Sequence, residues 1–464
     1  MSLLKTVARV ALFALPLMLS AVAGAEPELK AAWVVLGVNG LAVARVVSAD
    51  GNCPKILIDG KSYPMSLRAR AETIALRPTA SSIADSKPSS FPFSTCEYPL
   101  PDKVTRASVG SHNLPVPKTS PQRIVVIGDS GCRMKQADDI WQDCADPNAW
   151  PFAQIARAAA SFNPDLVVHV GDYHYRENPC LAGGCQGSPW GYGWDAWDAD
   201  LFEPAAPLFA AAPWVVLRGN HETCARAGQG WFRFLDPRPY SAARSCDDPA
   251  SDNAADYSEP YAVPIGPDAQ IIVFDSANAG RSPLRESNVQ DAALFAKYRA
   301  QFRRVAELAG KPGILSMFAD HHPLLGLSPQ DDNSVLGGNP ALLSVLLADY
   351  GPAYYPPGIQ VALHGHTHLF EAISFASDHP AVFLSGNAGD KLDSPLPDPL
   401  PADAAPAAGV VVERITQSNS FGFLLLDRLE EGWAFKAYRR DGSLMATCLL
   451  KQGKIACDRT GSIN

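Results

Sequence analysis

Five short segments of this 464-residue chain hold the residue types that do chemistry. They are Gly128-Asp129-Ser130-Gly131, Gly171-Asp172 followed by Tyr175, Gly219-Asn220-His221-Glu222, Asp320-His321-His322-Pro323, and His364-Gly365-His366-Thr367-His368. Singly, each has a bland reading. Asp129 and Asp172 sit where turn residues are common. Asn220 could cap a helix beside a satisfied histidine. His321 and His322 could be ordinary surface residues, and a lone His-x-His pair is a moderate signal. Together they say more. Eight of the ten histidines (169, 174, 221, 321, 322, 364, 366 and 368) lie in or beside these segments. Carboxylates suit hard cations and imidazoles suit Zn, Fe and Mn, so a mixed oxygen and nitrogen set points to first-row divalent or trivalent ions. There are enough donors for two ions, and a carboxylate with two oxygens can bridge them.

Each segment ends a strand-like apolar run. From residue 123 such runs alternate with helical ones, the pattern of an α/β fold with buried strands. Helices are predicted over 151–162, 287–309 and 339–350. In open α/β sheets ligands sit outside the carboxyl ends of the strands, so the five segments can converge on one site. Residues 392–408 read as a Pro/Ala/Asp-rich loop. The tail 421–458 alternates like an antiparallel meander, with turns at "EEG", "RDG" and "KQG". Residues 32–118 read as a separate β module with strand runs at 32–37, 41–48 and 55–58, a loop over 77–92 and a linker at 114–122.

Composition bounds the rest. Apolar residues make up 47% and charged residues 19%, a globular balance. Residues 1–25 read as a cleaved export signal: Lys5 and Arg9, an apolar run from Val10 to Ala23, then Ala23-Gly24-Ala25. The alternative, a membrane anchor, is disfavoured because the run is short for a span of ~20 residues. Cleavage would remove two basic residues and no acidic ones, moving the formal charge from −9 to −11. Such a chain has no basic run with which to grip nucleic acid or anionic membrane, and no later segment reads as a span. All ten cysteines lie beyond residue 25. An even count behind an export signal points to disulfides in a secreted or periplasmic protein. Neighbour pairing is expected, and the absence of Cys-x-x-Cys argues against a cysteine metal site.

The ordered motifs GDxG, GDxxY, GNHE, His-x-Pro and GHxH, spread over about 122–390, resemble those of the calcineurin-like metallophosphoesterases, in the purple acid phosphatase branch. The resemblance implies a two-sheet β-sandwich flanked by helices with a dimetal site at one edge, here preceded by a small N-terminal all-β domain. The implied division is a signal over 1–25, a β-sandwich-like module and linker over 26–118, and a catalytic domain over 119–464. It also implies roles. Asp129, Tyr175 and His368 would hold Fe(III). Asp172 would bridge. Asn220, His321 and His366 would hold a divalent Fe, Zn or Mn ion. His221 would face the substrate as a general acid, and Glu222 would orient its neighbours. The wider superfamily carries a metal-binding His where this chain has Gly131, and Tyr175 would replace that ligand. His321 keeps the His-x-Pro spacing, and His322 is the alternative. Arg176 is a weaker candidate near the site.

The implied activity is hydrolysis of small phosphate monoesters. Two cations ~3.5–4 Å apart clamp the phosphate and lower the pKa of a bound water, whose hydroxide attacks phosphorus. A phosphodiesterase or nucleotidase on the same site is the alternative. The loop 180–200, with Trp190, Tyr192, Trp194 and Trp197, could stack on a nucleoside or simply pack. A third possibility is a binding protein with an inactive site, against which the complete set of donors argues.

Overall fold

The computed structural model describes residues 28–451 and 453–459, so the export-signal expectation for 1–25 falls outside the described residues. The apolar runs form strands buried on both faces, and these build two large sheets. The first has eleven strands, in the order Lys454–Arg459, Leu444–Lys451, Trp433–Arg439, Gly422–Arg428, Arg123–Ile127, Leu166–His169, Trp214–Val216, Leu29–Leu36, Ala42–Ser48, Ser94–Pro99 and Ser66–Ala69. The second has seven, in the order Tyr261–Pro264, Ala269–Val273, Leu315–Ala319, Ile359–His364, Ala381–Ser385, Phe370–Phe375 and Val412–Ser418. The centre of each sheet is parallel. Ile124 pairs with Leu166 and Val167 with Trp214 in the first; Ile271 pairs with Met317 and Val361 with Ala381 in the second.

Strand periodicity then sorts the side chains. Ile124, Val126, Val168 and Phe435 of the first sheet share a core with Ile271, Met317, Leu363 and Phe383 of the second. Phe383 and Phe435 stack with centroids 4.2 Å apart. On the outer face of the first sheet, Val125, Val167 and Trp214 pack under helices Phe152–Ser161 and Glu203–Ala211. On that of the second, Ile272, Phe318 and Val382 pack under helices Ala292–Ala309 and Pro340–Tyr350. The fold is therefore the expected helix-flanked two-sheet sandwich.

The N-terminal all-β region runs between residues 29 and 114. Four of its strands extend the first sheet, with Leu29–Leu36 parallel to Trp214–Val216. Arg45, fully buried, fastens it further, pairing with Glu97 and donating to the carbonyls of Phe234 and Asp236. The C-terminal meander continues the same sheet through Arg123–Ile127. Each cysteine pairs with its neighbour in sequence: 53–96, 132–144, 180–185, 224–246 and 448–457.

The structure departs from the sequence reading in several places; the N-terminal region, read as a separate module, contributes four strands to the first sheet. The helix expected from 287 starts at Ala292, because the Asn288 carbonyl closes a turn on the N–H groups of Asp291 and Ala292. Helix Glu203–Ala211 was masked by Pro204 and Pro207; the first lies in the first turn, where proline is tolerated. Phe383→Ala is expected to lower the unfolding free energy by ~3–5 kcal/mol, read as a lower denaturant midpoint with unchanged slope. A loss below ~1 kcal/mol would contradict the stacked inter-sheet core.

Candidate active site

The parallel strands of both sheets end at one edge of the sandwich. Arg123–Ile127 delivers Asp129, Leu166–His169 delivers Asp172 and Tyr175, and Trp214–Val216 delivers Asn220 and His221. From the second sheet, Leu315–Ala319 delivers His321, and Ile359–His364 delivers His366 and His368. Asp129, Asp172 and His366 have φ of 55°, 57° and 69°. A side chain in this left-handed region is uncommon, and such backbone strain collects at functional sites.

Seven predicted ligand residues meet there as two groups of donors. In the first, Tyr175 Oη lies 3.0 Å from Asp129 Oδ1 and 3.1 Å from His368 Nε2. In the second, Asn220 Oδ1 lies 3.1 Å from His321 Nε2 and 3.0 Å from His366 Nδ1. Asp172 belongs to both, with its Oδ2 2.9 Å from Tyr175 Oη and 3.2 Å from His321 Nε2. Donors ~3 Å apart lie as ligands do around an ion with bonds of ~2.0–2.2 Å. Two histidines are already set for this. His321 Nδ1–H donates to the Val170 carbonyl and His368 Nδ1–H to the Lys391 carbonyl, each at 2.9 Å, leaving Nε2 free to ligate.

The charges also ask for a cation. Burial alone would lower His321, yet Asp172 and Asp129 raise it to about 10. Burial likewise opposes protonation of His368, but Asp390, Asp129 and Asp393 raise it to about 9. These raised imidazoles mark an excess of buried negative charge at the cluster. The donor set thus fits a pair of metal ions.

Gly131 explains how the tyrosine takes part. A Cβ there would come within 2.7 Å of the Tyr173 carbonyl and 2.8 Å of the Tyr175 amide. A larger residue would push away the loop that carries Tyr175. Gly219 is confined in the same way, since a Cβ would meet Asp172 Oδ1. Glu222, buried, accepts N–H groups from Asp172, Tyr173, His174 and Gly219 at 2.9–3.2 Å, clamping two loops together. Burial and Asp172 push its carboxyl up, to about 8, against the pull of those donors.

His321 brings its Nε2 to the cluster. His322 lies one layer out, its ring 4.3 Å from that of His366 and its Nδ1 3.3 Å from Ser276 Oγ, and it lines the cavity. Arg176 turns away and pairs with Asp200 at 2.6 Å. Asp200 also accepts the N–H groups of Cys132, Tyr175 and Arg176, so the pair braces the tyrosine loop. Tyr192, Trp194 and Trp197 are buried in the outer core of the first sheet rather than in the cavity.

Sequence reasoning missed what surrounds His221. Glu177 lies 2.7 Å from His221 Nδ1 and is gripped by Arg226 at 3.1 Å and by the Tyr192 hydroxyl at 3.1 Å. Burial opposes the Glu177 charge, but Arg226 and His221 hold its carboxyl far below the usual range. Being ionised, it stands as a counter-charge beside His221 Nδ1, while Nε2 lies on the cavity side, 3.9 Å from Asp172. Burial first, and Arg226 second, hold the His221 imidazole down, to about 4. Arg133 was missed too. Its guanidinium forks onto Asp390 and sits 4.9 Å over the Tyr175 ring. A charged residue two places past Tyr175 was the only signal for Glu177; Arg133 and Arg226 had none. The cavity over this cluster measures about 640 Å³.

The calcineurin-like phosphoesterase profile matches residues 122–370, more than half of the chain, and the chain belongs to that family. It is accordingly a metal-dependent phosphoester hydrolase. In fold it is similar to a purple acid phosphatase isolated from yellow lupin (Lupinus luteus) seeds. The identity is 13% and the TM-score 0.52, over 91% of this chain and 74% of that one. It is similar also to PhoD, at 11% identity and TM-score 0.53, over 94% and 92%. No curated protein matches the chain by sequence similarity.

Glu177→Gln is expected to lower turnover by ~10–100-fold with metal content unchanged. Unaltered turnover would contradict the role of Glu177 in setting the imidazole.

Proposed function

We propose that the chain is an exported phosphate monoesterase with a two-ion centre. Asp129, Tyr175 and His368 would hold one ion, Asn220, His321 and His366 the other, and Asp172 would serve both. The observation that carries this reading is that the single oxygen Asp172 Oδ2 borders both donor groups. A phenolate ligand suits Fe(III), and the amide and imidazole side suits a divalent Fe, Zn or Mn ion. Such ions, when bound, neutralise phosphoryl charge and make water acidic enough to attack phosphorus near neutral pH.

The chain's own residues do the positioning. His221 Nε2, aimed by Glu177, reaches the phosphoryl oxygens. As water oxygen bonds to phosphorus, having released its proton to solvent, the ester P–O bond opposite it breaks with its electron pair on the departing oxygen, to which protonated His221 donates. A phosphate ester beside Nε2 favours the protonated ring, against the burial that disfavours it. Glu222 keeps the Asp172 and Asn220 loops in register, which is the kind of placement on which phosphoryl transfer depends. The machinery lies within 119–464, and the N-terminal strand Leu29–Leu36 buttresses the strand that ends near Asn220.

Export is supported by the signal-like residues 1–25 and by five disulfides, which belong to oxidising compartments such as the periplasm or the exterior. Among the described residues no helix is long and apolar enough to cross a membrane.

Metal-replete protein is expected to release phosphate from aryl or sugar monoesters. Cleavage of diesters with no action on monoesters would overturn the reading. His221→Ala should retain its metals while kcat falls ~10²–10⁴-fold; loss of metal would refute its place outside the coordination sphere. Tyr175→Phe should abolish a visible phenolate-to-iron absorption band of the iron-loaded protein. A band that persists would remove Tyr175 from the ligands.

A further inference from the structure

The cavity over the metal-binding cluster is far larger than one phosphoryl group, and its walls differ in charge. Arg133 is tied to Asp390 and Asp138, Lys135 to Asp138, and Arg226 to Glu177. These three cations face the cavity already neutralised. Arg281, which lines the cavity with His322, is exposed and, among the described residues, has no hydrogen bond or ion pair. Its backbone is nonetheless held in place. Asn339 Nδ2 donates to the Gly280 carbonyl at 3.2 Å, and the Leu284 N–H donates to Ser344 Oγ at 2.9 Å. Asn339 itself caps helix Pro340–Tyr350 through the Leu342 N–H. An unneutralised guanidinium carried on a braced segment beside a phosphate site is suited to a second anion, since its planar fork matches carboxylate and phosphate geometry.

We propose that Arg281 is a specificity-determining residue that holds a second anionic group, a carboxylate or a further phosphate, on the leaving portion of the substrate. The inference rests on the phosphoesterase reading above and narrows its substrate class. The reacting phosphate has the metal-binding cluster and His221 to itself, and Arg281 lines the same cavity near His322, where it can meet the remainder of the substrate.

The test uses the full metal-loaded chain and three probes: phenyl phosphate, 3-carboxyphenyl phosphate and 1,3-phenylene bisphosphate. The ratio of wild-type to variant kcat/KM for each probe cancels the reactivity of its leaving group. In Arg281→Gln, phenyl phosphate is expected to change less than about twofold, and at least one of the two probes with an anionic tail to lose about fivefold or more, mainly in KM. Which probe suffers tells carboxylate from phosphate. The difference should shrink as salt is raised, and Arg281→Lys should restore part of it. Equal losses on all three probes, or none on any, would overturn the proposal. If the wild-type protein hydrolyses none of them, the monoesterase reading fails and this one with it.

Discussion

The architecture depends on one electrostatic requirement, that of a buried carboxylate shared by two groups of donors. Asp172 lies within about 3 Å of a phenol on one side and an imidazole on the other, with Asp129 and Asn220 close behind. Ionised carboxylates removed from water at this density are costly unless cations or donors compensate them. The neighbouring carboxylates raise the imidazoles of His321 and His368, as excess negative charge around a ring does. Metal ions would compensate the same charge, coupling ion binding to the order of the strand ends.

The scaffold answers this requirement in layers. Parallel strands of two sheets bring five distant segments to one edge, and the inter-sheet core holds them in a single frame. The next layer consists of hydrogen bonds: Val170 and Lys391 carbonyls on the rings, Glu222 under the Asp172 loop, and Asp200 with Arg176 under the Tyr175 loop. A third layer sets His221 through Glu177, Arg226 and Tyr192. Because each layer fixes the rotamers of the one inside it, a change several ångströms from the ions can reach the chemistry.

Much of this was legible in the sequence. Asp129, Asp172, Tyr175, Asn220, His321, His366 and His368 each follow a short apolar run, and the rule that sites form at strand ends was enough to gather them. The pairing of Gly131 with Tyr175 was readable as part of the motif resemblance, and the structure shows that a larger residue at 131 would crowd the loop carrying Tyr175. The cysteine pairing was readable because neighbours close short loops. What was not legible depends on direction rather than type. Arg133, Arg226 and Glu177 look like any charged loop residues until folding shows which face they meet. Arg176, in the middle of the most suggestive stretch, points at Asp200. The proline-bearing helix Glu203–Ala211 and the edge strand Val412–Ser418 escaped because their local patterns are weak, and tertiary packing completes them.

The central claim is that Asp172 joins two ion sites into one centre. Calorimetric titration of metal-free protein with iron and zinc tests it most directly. Two ions should bind per chain, and Asp172→Asn should lose at least one of them and weaken the other while the fold, read by circular dichroism, persists. An Asp172→Asn protein that still binds two ions with wild-type affinity would contradict the account.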